Sequence, residues 1–158
     1  MKQIVVLGAG IGGMSVAYEL RAALGKEKAA INVIGEGTKF SFTPSNPWVA
    51  VGWRKPADIQ VDAPTHLAKK AIGFEAVGAE RVVPESNQIV LRDGRTLDYD
   101  YLVITTGPRL AFDEVPGLGP SAHTQSIYTT EHAQTAWVAY EQFLKDPGPI
   151  VIGAAPGV

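Results

Sequence analysis

Cysteine is missing altogether from the 158 residues, which excludes disulfides and thiolate metal sites within them. Histidine is scarce, with three residues and no convincing partners for His66 or His123, so no metal-binding constellation can be assembled. There is no excess of one charge: 14 Lys and Arg against 16 Asp and Glu give a formal net charge of −2. Without a basic footprint, nucleic acid is not an expected partner. No apolar run approaches the roughly 18 residues of a membrane helix. The apolar N-terminus has only Lys2 ahead of it, lacks a small-residue cleavage site and is broken by glycines, so it reads as a strand and turn rather than a signal peptide. Low-complexity tracts are also absent, as are tandem repeats beyond two similar glycine turns, at residues 3–13 and 149–158.

What is present is 46% hydrophobic residues, with 17 glycines and 11 prolines, the composition of a folded, globular chain expected to be soluble. Residues 3–7 are apolar and β-branched and predict a buried strand. Met14, Ala17, Leu20 and Leu24 recur at helical spacing, and Ile31-Asn-Val-Ile34 predicts a second strand. Together they predict a β-α-β unit with parallel strands. A short helix is expected over Pro64–Lys70, and a strand near Phe74–Val77. Gln88–Leu91 and Leu97–Tyr101 flank Arg92-Asp-Gly-Arg95, a hairpin signal. Tyr101–Thr105 predicts another buried strand. A helix is expected over Thr130–Lys145, with Thr130 as its N-cap.

Gly8-Ala-Gly-Ile-Gly-Gly13 lies between the first strand and helix, the context that gives a dinucleotide fingerprint its meaning. Gly8 suits the tight turn, Gly10 admits a pyrophosphate to the backbone, and Gly13 permits close helix–strand packing. The free amides of Ile11, Gly12 and Gly13, at the positive end of a helix, would hold phosphate oxygens. A purely structural glycine turn is the alternative. An acidic residue for the adenosine ribose belongs at the tip of the second strand. Gly35 stands there, leaving Glu36, one step later, either as the ribose ligand or as a solvated turn residue. Asp100–Gly107 has the strand-plus-Thr-Gly form of two-dinucleotide-domain flavoproteins. Thr106 and Gly107 would pass close to the cofactor, favouring FAD over NAD at the first site, unless they mark only a strand exit before Pro108.

Residues 38–57 crowd Phe40, Phe42, Pro44, Pro47, Trp48, Trp53 and Pro56 into one stretch. That density of proline predicts an ordered, aromatic-lined loop without regular structure. The run Pro44-Ser-Asn-Pro-Trp-Val-Ala-Val-Gly-Trp53 resembles that of the sulfide:quinone oxidoreductases, flavoproteins of the pyridine nucleotide-disulfide oxidoreductase superfamily. Asp100-Tyr-Leu-Val-Ile-Thr-Thr-Gly-Pro108, Gln125-Ser-Ile-Tyr-Thr129 and Pro147-Gly-Pro-Ile-Val-Ile-Gly-Ala154 are similar to theirs as well. The likeness spans essentially the whole chain.

The resemblance implies an FAD, tethered or not, that takes electrons from sulfide and passes them to a quinone. It places Pro44 and Asn46 near the flavin ring, Ala79 near the adenosine end, and His132 near the sulfur site as a proton carrier. On its own terms His132 could equally be an exposed first-turn helix residue. Many members carry a cysteine where this chain has Tyr128, which puts an auxiliary sulfur-handling thiol in doubt. A further cysteine is expected about two residues after Val158, where the family's second glycine loop continues.

The expected architecture is α/β: a Rossmann-like FAD-binding domain over residues 1–112, with a parallel sheet and an antiparallel meander. Residues 113–158 would form a linker, a helix and the first strand and glycine turn of a second dinucleotide-binding-like domain, broken off at Val158. On this reading the chain is the front part of a longer enzyme, peripheral on a prokaryotic inner membrane and contacting it only through later segments. The rivals are a flavocytochrome-type sulfide dehydrogenase, a type II NADH:quinone reductase, or an inert nucleotide-binding fragment.

Overall fold

A computed structural model describes residues 1–154. The chain divides into two compact units: Met1–Phe42 with Gln60–Leu110, and Thr43–Ile59 with the chain from Ala111 onward.

The first unit is built on four parallel strands, β1 (Lys2–Leu7), β2 (Ala29–Ile34), β5 (Ile72–Glu75) and β9 (Tyr101–Ile104), in the order β5-β2-β1-β9. β1 pairs in register with β2 from Lys2↔Ala29 to Leu7↔Ile34, and with β9 from Ile4↔Tyr101 to Leu7↔Ile104. Alternation along each strand sends side chains to two different cores. Ile4, Val6, Ile31 and Val33 pack with Met14 and Ala17 of α1 (Ile11–Ala23) and with Ala63 and Leu67 of α3 (Ala63–Ala68). Val5 and Ile34 face the other way, onto Ile89 and Leu91. These two belong to an antiparallel meander of β6 (Ala79–Val83), β7 (Gln88–Leu91) and β8 (Thr96–Asp98). The parallel sheet is therefore covered by helices on one face and by the meander on the other. The expected hairpin turn at Arg92–Arg95 is present, with Gly94 at φ +85°. A two-stranded ribbon, β3 (Lys39–Ser41) with β4 (Gln60–Asp62), completes the unit.

Two polar devices tie distant segments together. Asp100 accepts from the Gln3 amide at 2.7 Å and from Lys2 Nζ at 2.6 Å, joining the start of β9 to that of β1. The Gln3 amide and then Lys2 hold its carboxyl below the usual carboxylate range. Arg21, near the end of α1, donates to the carbonyls of Gly25, Ala29 and Ala71.

In the second unit α4 (Thr130–Phe143) packs on α2 (Asn46–Ala50), burying Val49, Ala50, Ala133 and Ala136 together with Ile59. Gly52, at φ +75°, lies against Trp137, where a Cβ would come within 2.5 Å of the indole.

Three expectations need correcting. The proline-rich stretch is not devoid of regular structure: a 3₁₀ turn at Thr43–Ser45 runs into α2, because Pro47 falls in the first helical turn, where its missing N–H costs no bond. The cap of α4 is Thr129, whose hydroxyl accepts from the His132 amide at 3.1 Å; Thr130 is one step inside the helix and buried. The last apolar run, expected as a strand, has no regular structure over Ile150–Ala154, and Val151 and Ile152 are 94% and 88% exposed. A strand needs a neighbour's amides and carbonyls, and none among the described residues lies beside it. The remainder of the expected glycine turn, residues 155–158, lies outside the described residues.

Candidate functional site

The first βα turn is shaped by contacts that leave no room for side chains. Gly8 adopts φ +113°, and a Cβ there would fall 2.4 Å from the Thr105 carbonyl oxygen. At Gly13 a Cβ would fall 1.9 Å from the Gly8 carbonyl oxygen. Gly10 differs, because no protein atom lies within 4 Å of its Cβ position. Packing of the chain against itself therefore explains Gly8 and Gly13 but not Gly10, which faces open space. Gly10 is also the N-cap of α1, with extended backbone, no side-chain cap and no acidic residue in the first turn. The amides of Ile11, Gly12 and Gly13 are thus presented at a helix start without a built-in anion. This is the donor arrangement a diphosphate requires.

Thr105, which the sequence reading passed over in favour of Thr106, braces this turn. Its amide donates to Leu7 O at 2.7 Å, and its hydroxyl lies 3.1 Å from the carbonyl oxygens of both Leu7 and Gly8. The signal was available as a hydroxyl directly after an apolar strand. Thr106 and Gly107 follow it into solvent, with Gly107 at φ +74°.

A groove of about 400 Å³ opens outside the carboxyl ends of β1 and β2, where ligands of such sheets bind. Gly8, Ala9, Gly35, Glu36, Ala79 and Thr106 line it, together with Gly78, Glu80, Arg81 and Val82. The last four were missed by sequence reasoning, because Glu80–Val82 belong to a strand without clear alternation. Gly35 is buried because Ala9 and the Phe74 ring press on it: a Cβ would lie 2.7 Å from Ala9 Cβ and 3.0 Å from Phe74 Cζ. Glu36 stands at the rim, bonded to Arg92 at 2.6 Å. Gly8 and Ala9 of the glycine loop, the strand tip, Thr106 and the start of β6 thus share one concavity, while Gly10, Ile11, Gly12, Gly13 and Gly107 are not among the residues that line it. With the helix start beside them, the residues present fit a dinucleotide.

The remaining candidates lie in the second unit. Pro44 is exposed in the 3₁₀ turn. Asn46 is buried, its amide donating to the Tyr128 carbonyl at 2.8 Å and accepting from the Thr130 hydroxyl at 3.2 Å. His132, in the first turn of α4, is half-buried with its ring 5.7 Å from that of Phe112. Its Nδ1 is shielded from solvent and has no hydrogen-bond partner among the described residues. Tyr128 is 48% exposed. No metal-holding cluster of His, Asp and Glu occurs among the described residues, and no helix there is long and apolar enough to cross a membrane.

The chain is 41% identical over 99% of its length to the sulfide-quinone reductase of Aquifex aeolicus, covering 35% of that protein. It is 30% identical over 98% of its length to the mitochondrial sulfide:quinone oxidoreductase of Dictyostelium discoideum, covering 34%. The X-ray structure of the Aquifex aeolicus sulfide:quinone oxidoreductase superposes on the whole chain with a TM-score of 0.88 at 40% identity, and the chain covers 36% of it. The chain thus spans about a third of the length of the relatives it matches. A family profile described as pyridine nucleotide-disulphide oxidoreductase matches residues 2–156, and the chain belongs to that family.

Proposed function

We propose that this chain is the FAD-binding part of an oxidoreductase that oxidises sulfide and delivers the electrons to a quinone. Family membership implies a flavin cofactor. The structural observation that carries the reading is the uncapped start of α1, where Gly8 and Ala9 border a groove at the carboxyl ends of β1 and β2. The choice of sulfide and quinone is supported by the identity to the Aquifex aeolicus sulfide-quinone reductase over 99% of the chain.

In this reading residues 1–112 form the FAD domain. The amides of Ile11, Gly12 and Gly13 hold the diphosphate, and Gly8, Thr106 and Gly107 let the chain run close to it. Gly35, Glu36 and Ala79 line the adenosine end. Pro44 and Asn46 belong near the flavin ring, Asn46 acting through the segment it holds, since both ends of its amide are taken by Tyr128 and Thr130. Bound FAD would supply a two-electron relay between sulfide and quinone. His132 is the proton carrier: its shielded Nδ1 has no hydrogen-bond partner among the described residues. The intact protein sits peripherally on a prokaryotic inner membrane, reached through segments after Val158.

The test is the full-length protein assayed twice, with sulfide and a soluble quinone, and with NADH and the same quinone. Sulfide-dependent quinone reduction by a yellow protein is expected. Quinone reduction driven by NADH and indifferent to sulfide would overturn the assignment.

A further inference from the structure

Glu36 does not stand alone at the groove rim. Its Oε1 accepts from Arg92 Nη2 at 2.6 Å, across 56 positions of sequence, and nothing among the described residues donates to its Oε2. Arg92 is the first residue after β7, and its amide donates to the Gly78 carbonyl at 3.1 Å. Both side chains pass over Gly78, where a Cβ would lie 3.1 Å from Glu36 Cγ and 3.5 Å from Arg92 Nε. Gly78, at φ +76°, is in turn bonded through its amide to the Gly35 carbonyl at 3.0 Å. The meander and the tip of β2 are thereby stitched together at the point where the carboxylate meets the groove.

The pair is exposed, 53% at Arg92 and 69% at Glu36, and a pair so exposed contributes little to folding. A free glutamate at such a rim would spread over several rotamers and lose that freedom on binding. We propose that Arg92 is a positioning residue for the adenosine end: it fixes the Glu36 carboxylate through one oxygen and leaves the other to accept from a ribose hydroxyl. The selected ligand class is an adenosine diphosphate with its ribose diol intact. This rests on the dinucleotide reading above and adds to it a residue from outside the glycine motif.

The full-length protein, freed of flavin, is titrated calorimetrically with ADP and with 2′,3′-dideoxy-ADP. Arg92→Gln is expected to weaken ADP binding about tenfold more than dideoxy-ADP binding, the scale of one charge-assisted hydrogen bond. Arg92→Lys should restore part of the difference, and Arg92→Gln in a Glu36→Gln background should add nothing further. Equal losses for the two ligands, or no loss at all, overturn the role given to Arg92 while leaving the dinucleotide site standing. A wild-type full-length protein that binds neither ligand overturns the dinucleotide reading and this inference with it.

Discussion

Thr105 reaches back across 97 positions to place its hydroxyl 3.1 Å from the Gly8 carbonyl oxygen. The carbonyl that would collide with any side chain at Gly13 is thus the one Thr105 holds. Thr105→Val keeps the shape and removes the proton. The loss should be about 1 kcal/mol of folding stability, the usual net value of a hydrogen bond, read from urea denaturation. Thr106→Val, on an exposed neighbour, should leave the midpoint unchanged.

Gly13→Ala and Gly10→Ala separate folding from binding. A methyl at position 13 would sit 1.9 Å from Gly8 O and must displace the helix or the turn. It should cost about 1–3 kcal/mol or more of stability. At position 10 the methyl meets no protein atom. Gly10→Ala should therefore fold normally while FAD affinity, followed by quenching of flavin fluorescence, drops at least about tenfold from the blocked approach of the diphosphate. Unimpaired FAD uptake by Gly10→Ala would count against a phosphate at this turn.

Asn46→Ala strips two bonds from a buried site and leaves the Thr130 hydroxyl and the Tyr128 carbonyl without their partner. A destabilisation of about 1–3 kcal/mol is expected. Asn46→Asp should do no better, since a carboxylate cannot donate to the Tyr128 carbonyl.

Acid sensitivity should be traceable to Asp100. The Gln3 amide and Lys2 lower its folded pKa, so the folded chain binds its proton less readily than the unfolded chain. Its contribution is complete above the unfolded carboxylate value of about 3.9 and is lost as pH falls through the lower folded value. Asp100→Asn should flatten the stability profile below about pH 4, as measured by urea midpoints across pH.

β1, β2 and β9 were legible because each is a short apolar run rich in β-branched residues, and Ile4-Val5-Val6 could hardly be anything else, whereas β5, expected near Phe74–Val77, spans Ile72–Glu75, where Ile72 alone is β-branched. The glycine turn was legible by its place between strand and helix, and Gly8 and Gly13 have steric reasons of their own. Other features were hidden for physical causes. Ala79–Val83 mixes charge with apolar residues and acquires strand structure only by pairing with β7. Two adjacent threonines, 129 and 130, are equally good caps on paper; the burial of Thr130 beside Asn46 decides between them. Ile150-Val-Ile152 has every intrinsic mark of a strand, yet pairing is a property of a neighbour, not of the run. Arg92 could not be found from spacing, because its link to Glu36 exists only once the meander has folded over the sheet.

The tight fit of Ala9 under Gly35 means that the two first turns of the sheet share a single parcel of space. Enlarging Gly35 crowds Ala9 of the phosphate-facing turn and the Phe74 ring at once, so the gap between those two halves of a nucleotide answers to a methyl group and an aromatic edge together. Gly35→Ala should behave as a change in that ruler, and Ala9→Gly combined with it should reset the gauge only in part, because the Phe74 ring still meets the new methyl.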